Sequence, residues 1–146
     1  MSYYIRVDRQ PRKGTGVLKY WREKPTEVQA TPQVTTECWF DTCPDPKHRI
    51  NPGRYDACST TYMKRAMQQS PPGKSFDWAS KDNHTDWQAI HVRWGIFIHR
   101  GGKQTRIHEW SEGCIVISHS ELLKIWHDIP LNGKNVMVEI RDDASG

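Results

Sequence analysis

Two residues of this chain have the types and spacing to do covalent chemistry together. His99 ends the apolar run Trp94-Gly95-Ile96-Phe97-Ile98, and Cys114 opens the run Ile115-Val116-Ile117. A free thiol titrates near ~8.5 and only the thiolate is a strong nucleophile, so a cysteine that attacks a carbonyl at neutral pH needs a neighbour to take its proton. An imidazole does this and then hands the proton to the leaving group. If the two runs pair as a hairpin across the polar stretch between them, His99 and Cys114 face each other with Cβ atoms about 5 Å apart. Gly113 lets backbone crowd the site, so that amides there can face a developing oxyanion. His108, in the connecting stretch, competes with His99 as base, but His99 ends a strand and is better anchored.

The elements that must hold this pair in place read as mainly β. Pro and Gly punctuate the chain at short intervals, which favours short strands over long helices. The expected strands are Tyr3 to Arg9, Val17 to Arg22, Val34 to Phe40, Arg54 to Ser59, Ile90 to His99, Cys114 to Ile117 and Asn135 to Arg141. On one continuous strand from Ile90 to His99, the side chains of His91, Arg93, Phe97 and His99 share a face, unless Gly95 marks a bulge that reverses the parity. Asn51-Pro52-Gly53-Arg54 has Pro then Gly as a type II turn requires. Ser118-His119-Ser120-Glu121 fits a capping box, after which Leu122, Leu123, Ile125, Trp126 and Ile129 form the apolar stripe of a helix that must end before Pro130. Residues 63 to 83 carry turn chemistry without a period and read as a long surface loop bordering a groove.

The order of His, loop, Ser-x-Gly-Cys, apolar strand, capped helix and final strand resembles the L,D-transpeptidase (YkuD-like) catalytic domain. The residues that carry the resemblance are His99, Ser111, Gly113, Cys114 and Ile115, with Ser118 through Ile140 similar to that family's helix and closing strand. Upstream, Ile50-Asn51-Pro52-Gly53-Arg54-Tyr55 is similar to the turn that precedes the site, and the same landmarks resemble a phage-associated branch. The resemblance implies one L,D-transpeptidase-like domain over 1–146, a β-sandwich or barrel with one short helix after the catalytic strand. It implies attack by Cys114 on the L,D bond between the third residue of a stem peptide, commonly diaminopimelate, and a terminal D-alanine, with transfer of the acyl group to an amine or to water. His99 is then base and acid, Ser111 shapes the site, and Gly113 supplies part of the oxyanion hole. Two positions depart from the pattern. Glu112 stands where the family has His, and Val116 where it has Arg, so the missing positive charge must come from elsewhere. Arg93 is the preferred substitute, ahead of Arg100 and Arg106, with Trp94, Glu112, His108 and Tyr55 as further substrate contacts.

Composition sets the outer bounds. A chain of 146 residues is long enough to bury its own core, and its seven Trp and five Tyr supply large apolar areas for it. Lys plus Arg number 21 against 17 Asp plus Glu, a net charge of +4, which suits an anionic polymer such as a cell wall. The basic residues are scattered and no recognition motif appears, which argues against nucleic acid as a partner. No apolar run reaches the ~18 residues of a membrane span. The first residues have no apolar signal core either, so the expectation is a protein made in the cytoplasm and delivered to the wall by a holin or secretion machine, as a phage lysis protein or antibacterial toxin with a possible immunity partner.

Cys38, Cys43, Cys58 and Cys114 form no Cys-x-x-Cys pair. The six histidines between His84 and His127 follow no metal-ligand spacing, so neither metal nor cofactor is expected, and a zinc hydrolase is the weaker enzymatic reading. One disulfide among Cys38, Cys43 and Cys58 stays open. Outside enzymology, the loss of Arg at Val116 favours a catalytically weak peptidoglycan-binding module or phage structural component on the same fold, with Trp78, Trp87, Trp94 and Trp110 as a ligand platform.

Overall fold

The computed structural model describes residues 3–26, 30–43, 49–62, 88–93, 95–101 and 114–143. The long loop expected over 63 to 83 lies outside them, as do Trp94, His108, Ser111, Glu112 and Gly113. Within the described residues the chain forms Tyr3–Gln10 (β1), Thr15–Trp21 (β2), Val34–Trp39 (β3), Gly53–Tyr62 (β4), Gln88–Arg93 (β5), Ile96–Arg100 (β6), Ile115–Ile117 (β7), the helix His119–Asp128 (α1) and Val136–Asp142 (β8). The strands close into one barrel in the order β1-β2-β3-β7-β6-β5-β4-β8. The mainly β reading therefore holds, and closure leaves no sheet edge open to pair with another chain.

Period-two alternation explains the core. Ile5 and Val7 of β1, Leu18 and Tyr20 of β2, Ile90 and Val92 of β5, Ile96 and Ile98 of β6, and Ile115 and Ile117 of β7 all point into the barrel. Helix α1 adds Leu122, Ile125 and Ile129 to the same cluster, so its apolar stripe caps one end of the barrel. Trp126 Nε1 donates to the Thr61 carbonyl (3.1 Å), and Tyr20 Oη donates to Asp128 (2.6 Å), which tie the helix to β4 and β2. The helix stops at Asp128 because Ile129, the residue before Pro130, is extended. Its start differs from expectation. Ser118 occupies the N-cap position with extended backbone, but its side chain makes no capping hydrogen bond, and Glu121 instead pairs with Lys124 (3.0 Å).

Two further expectations are corrected. The single strand expected over Ile90 to His99 is a hairpin, β5 and β6, folded at Gly95, whose φ of +77° suits glycine. An apolar run on each side of that glycine satisfies both strands, so periodicity alone did not reveal the break. The strands of His99 and Cys114 do not form a hairpin either. β6 and β7 run parallel, with Ile98 opposite Ile115 and His99 opposite Val116. One edge of β6 is already taken by β5, and β7 fits between β6 and β3 antiparallel to β3, with Val116 opposite Trp39. The 14 residues from 101 to 114 are long enough for the crossover that a parallel pair demands.

The barrel end away from the helix, here the mouth, closes with polar groups. Arg9 points inward, is 0% exposed, bonds both carboxylate oxygens of Asp142 (2.6 and 3.0 Å) and lies 5.0 Å over the Phe40 ring. Gly14 (φ +70°) is required beside it, since a Cβ there would come within 2.9 Å of the Phe40 carbonyl oxygen. Across the mouth, Gly53 (φ +151°) opens β4, and Tyr55 Oη donates to the Asn51 carbonyl (2.5 Å), stapling the turn. An irregularity between Tyr55 and Cys58, with Ala57 at φ 60°, bends β4.

Candidate active site

Residues that point away from the interior on β6 and β7 form a second buried layer. His99 pairs with Val116, and Phe97, two residues earlier, lies level with Cys114, the residue just before β7. The Phe97 amide donates to Cys114 Sγ at 3.4 Å. Strand geometry then separates the His99 and Cys114 α-carbons by about 8 Å, two residues along and one strand across, a diagonal that an imidazole and a thiol can bridge. The hairpin expectation placed the two directly opposite, whereas parallel pairing keeps them on neighbouring strands and staggers them.

His99 is oriented by its own strand. Its Nδ1 lies 2.9 Å from the Arg100 carbonyl oxygen, which can only accept, so Nδ1 carries the proton and the neutral ring has its lone pair on Nε2. A histidine held in this tautomer is set up as a base. The amide of Phe97 contributes a donor to the sulfur, and hydrogen bonds of this kind favour the thiolate over the thiol. Neither contact was legible in the sequence, because both are backbone groups and depend on register. Cys114 and His99 are each 0% exposed, so a substrate that reaches the sulfur has to displace whatever covers it.

The other residues singled out in the sequence distribute as follows. Arg93 is exposed and sits beyond a register shift, opposite Ile96, one pair from Phe97. It is close enough to Tyr55 to bias that phenol toward ionisation, although burial outweighs it and the Tyr55 pKa is raised. Arg93 and Tyr55 are therefore brought together at the mouth, and the register shift sets Arg93 opposite the interior residue Ile96, off the outward face that Phe97 and His99 share. Arg100 is adjacent to His99 on the strand, and alternation turns its side chain to the opposite face. Partial burial pushes its pKa down. Ser111, Gly113, Glu112, His108 and Trp94 lie outside the described residues.

Two residues not expected as site residues join the layer. His91 pairs with Phe97 across the β5–β6 hairpin, their rings 5.2 Å apart, and burial pulls its pKa down. Trp39 pairs with Val116 and extends the layer onto β3. Alternation had put His91 on the face of Phe97 and His99, and the hairpin sets it directly opposite Phe97.

No disulfide joins Cys38, Cys43, Cys58 or Cys114. Cys38 and Cys58 lie in the barrel interior, where burial pushes both thiols up to about 12, and the single S–H of Cys58 is within reach of the carbonyls of Val92 (3.2 Å) and Tyr55 (3.3 Å). They behave as small apolar residues. Among the described residues no three His, Cys, Asp or Glu side chains converge as a metal site would need, and no helix is long and apolar enough to cross a membrane. No protein-family model matches the chain, and no curated protein matches it.

Proposed function

We propose that this protein is a cysteine acyl-transfer enzyme acting on peptidoglycan stem peptides, of the L,D-transpeptidase or L,D-carboxypeptidase kind. The observation that carries the reading is the Cys114 and His99 arrangement: a thiol receiving the Phe97 amide, one strand across and two residues along from an imidazole whose Nδ1 is committed to the Arg100 carbonyl. In this scheme His99 Nε2 takes the Cys114 proton, and the sulfur attacks the carbonyl of the third stem residue. The C–N bond to the terminal D-alanine breaks, and its nitrogen leaves with the proton from His99. An amine or a water then attacks the thioester, losing its proton to His99 and releasing Cys114. Arg93, exposed near the mouth, is the group proposed to hold the substrate carboxylate, in place of the positive charge absent at Val116.

The zero exposure of Cys114 and His99 favours a second reading, a peptidoglycan-binding module on the same barrel that does not turn over. One experiment separates the two. Purified muropeptides with tetrapeptide stems are incubated with wild type, Cys114→Ala and His99→Ala, with and without added D-amino acid, and analysed by mass spectrometry. Release or exchange of the terminal D-alanine by wild type alone supports the enzyme, and the product identifies the acceptor. Untouched muropeptides in all three, with wild type still retained on purified sacculi, support the binding module.

A further inference from the structure

A trough runs along the outside of β2 and is not part of the chemistry above. Its floor is made of the short outward side chains Thr15 and Val17. Its walls are the longer outward side chains of the neighbouring strands, Asp8 and Gln10 on β1 and Glu37 and Trp39 on β3. Register accounts for the shape: Thr15 stands between Gln10 and Trp39, and Val17 between Asp8 and Glu37. The hollow has a volume of about 460 Å³, within the range of small-ligand sites. Val17, 39% exposed, is one of few large apolar side chains left open to solvent among the described residues.

The trough is continuous with the Cys114 layer. Trp39, which forms one wall, pairs with Val116, and Val116 pairs with His99. Thr15 is level with Val116, so Cys114 lies two strand spacings across and two residues along from it, about 12 Å. Three residues of extended peptide span about 10 Å. A stem peptide attacked at its third residue by Cys114 would therefore bring the sugar that carries it to the Thr15 end of the trough.

We infer that this trough binds the N-acetylated saccharide of the glycan strand, an inference that rests on the proposed peptidoglycan substrate. The chemistry of the walls matches such a ligand. The flat face of Trp39 suits the C–H face of a pyranose ring, and the Asp8 and Glu37 carboxylates with the Gln10 amide accept from sugar hydroxyls and the acetamido N–H. Val17 and the Thr15 methyl group underlie the ring.

The test is saturable binding of a linear trimer of N-acetylglucosamine to the intact protein, followed by amide shifts in NMR spectra. Wild type and Cys114→Ala should bind alike. Trp39→Ala should weaken binding by about tenfold or more, the loss of roughly one good aromatic contact. Val17→Trp fills the trough from an exposed strand position that tolerates aromatic residues, and should abolish binding while Trp39 stays in place. Circular dichroism and a thermal melt show whether each variant is folded, and Val17→Trp decides the matter if Trp39→Ala is not. Wild type that ignores the trimer at about 10 mM, well above ordinary weak sugar affinities, overturns the inference. So does binding that Val17→Trp retains, or a trough that takes a lysine-rich peptide in place of the sugar. Binding is read without turnover, so inactivity toward muropeptides leaves this result standing, and activity without trimer binding removes only the saccharide site.

Discussion

The two ends of the barrel are closed by opposite means. At one end α1 lays Leu122, Ile125 and Ile129 over the interior, and its polar ties, Tyr20 and Arg22 to Asp128, sit at the rim. At the mouth the closing group is itself charged: Arg9, wholly buried, paired with Asp142 and stacked on Phe40. An apolar cap stabilises by removing area from water, whereas a buried ion pair returns little beyond its own desolvation cost. The candidate pair spans the two ends, with Cys114 toward the mouth and His99 level with Ala89 and Thr61 at the helix end, so disturbing the mouth should reach the thiol before the imidazole.

The largest expected effect is on activity. In the muropeptide assay, Cys114→Ala should lower turnover by at least about a thousandfold, as removal of a nucleophile does, while the melting temperature changes little. A variant that loses activity only in proportion to its stability would mean that the mouth holds a structural thiol. Next comes Arg9→Met, which leaves Asp142 unpaired beside the core and should cost about 3–5 kcal/mol in urea unfolding. Adding Asp142→Leu should recover most of that loss. If the single and double variants are equally unstable, packing of Arg9 on Phe40 matters more than its charge.

pH should separate the helix tie from the buried thiols. The Asp128 pKa is lowered, first by its hydrogen bond from Arg22. A carboxylate with a depressed folded pKa contributes stability that is whole above its ordinary value of 3.8 and lost as pH falls below it, so the helix end should loosen on the acid side. Cys38 and Cys58 are raised by burial to about 12 from 9.0, so their contribution is whole below pH 9 and lost as pH climbs toward 12. Tyr4, also pushed up to about 12, adds to that alkaline loss. Unfolding measured against pH should lose part of its acid limb in Asp128→Asn and part of its alkaline limb in Cys38→Ala, and a swap of those limbs would refute the assignment.

The smallest effect is expected at the helix start. Ser118 makes no side-chain capping bond, so Ser118→Ala should cost less than about 0.5 kcal/mol, below the usual loss on removing a working cap. A full loss of about 1 kcal/mol in thermal unfolding would show that the cap forms in solution.

Much of this fold was legible in the chain. Alternating apolar residues marked β1, β2 and β8 to within two residues, and the stripe from Leu122 to Ile129 before Pro130 marked α1, because period and punctuation are local properties. The residues from Ile90 to His99 were misread as one strand, since two buried strands joined by a glycine look like one long apolar run. The candidate pair, His99 and Cys114, was picked out as residue types at the ends of two apolar runs.

What the sequence determined by itself was therefore which residues could react and which segments would be strands or helix. The tertiary structure decided the rest: that β6 and β7 run parallel, that the Phe97 amide and the Arg100 carbonyl attend the pair, that Arg9 closes the mouth, and that Trp39 and Val17 shape a trough two strands away. Each of these depends on register and strand order, which are set by competition among all the strands for the same edges, and no single segment carries that information.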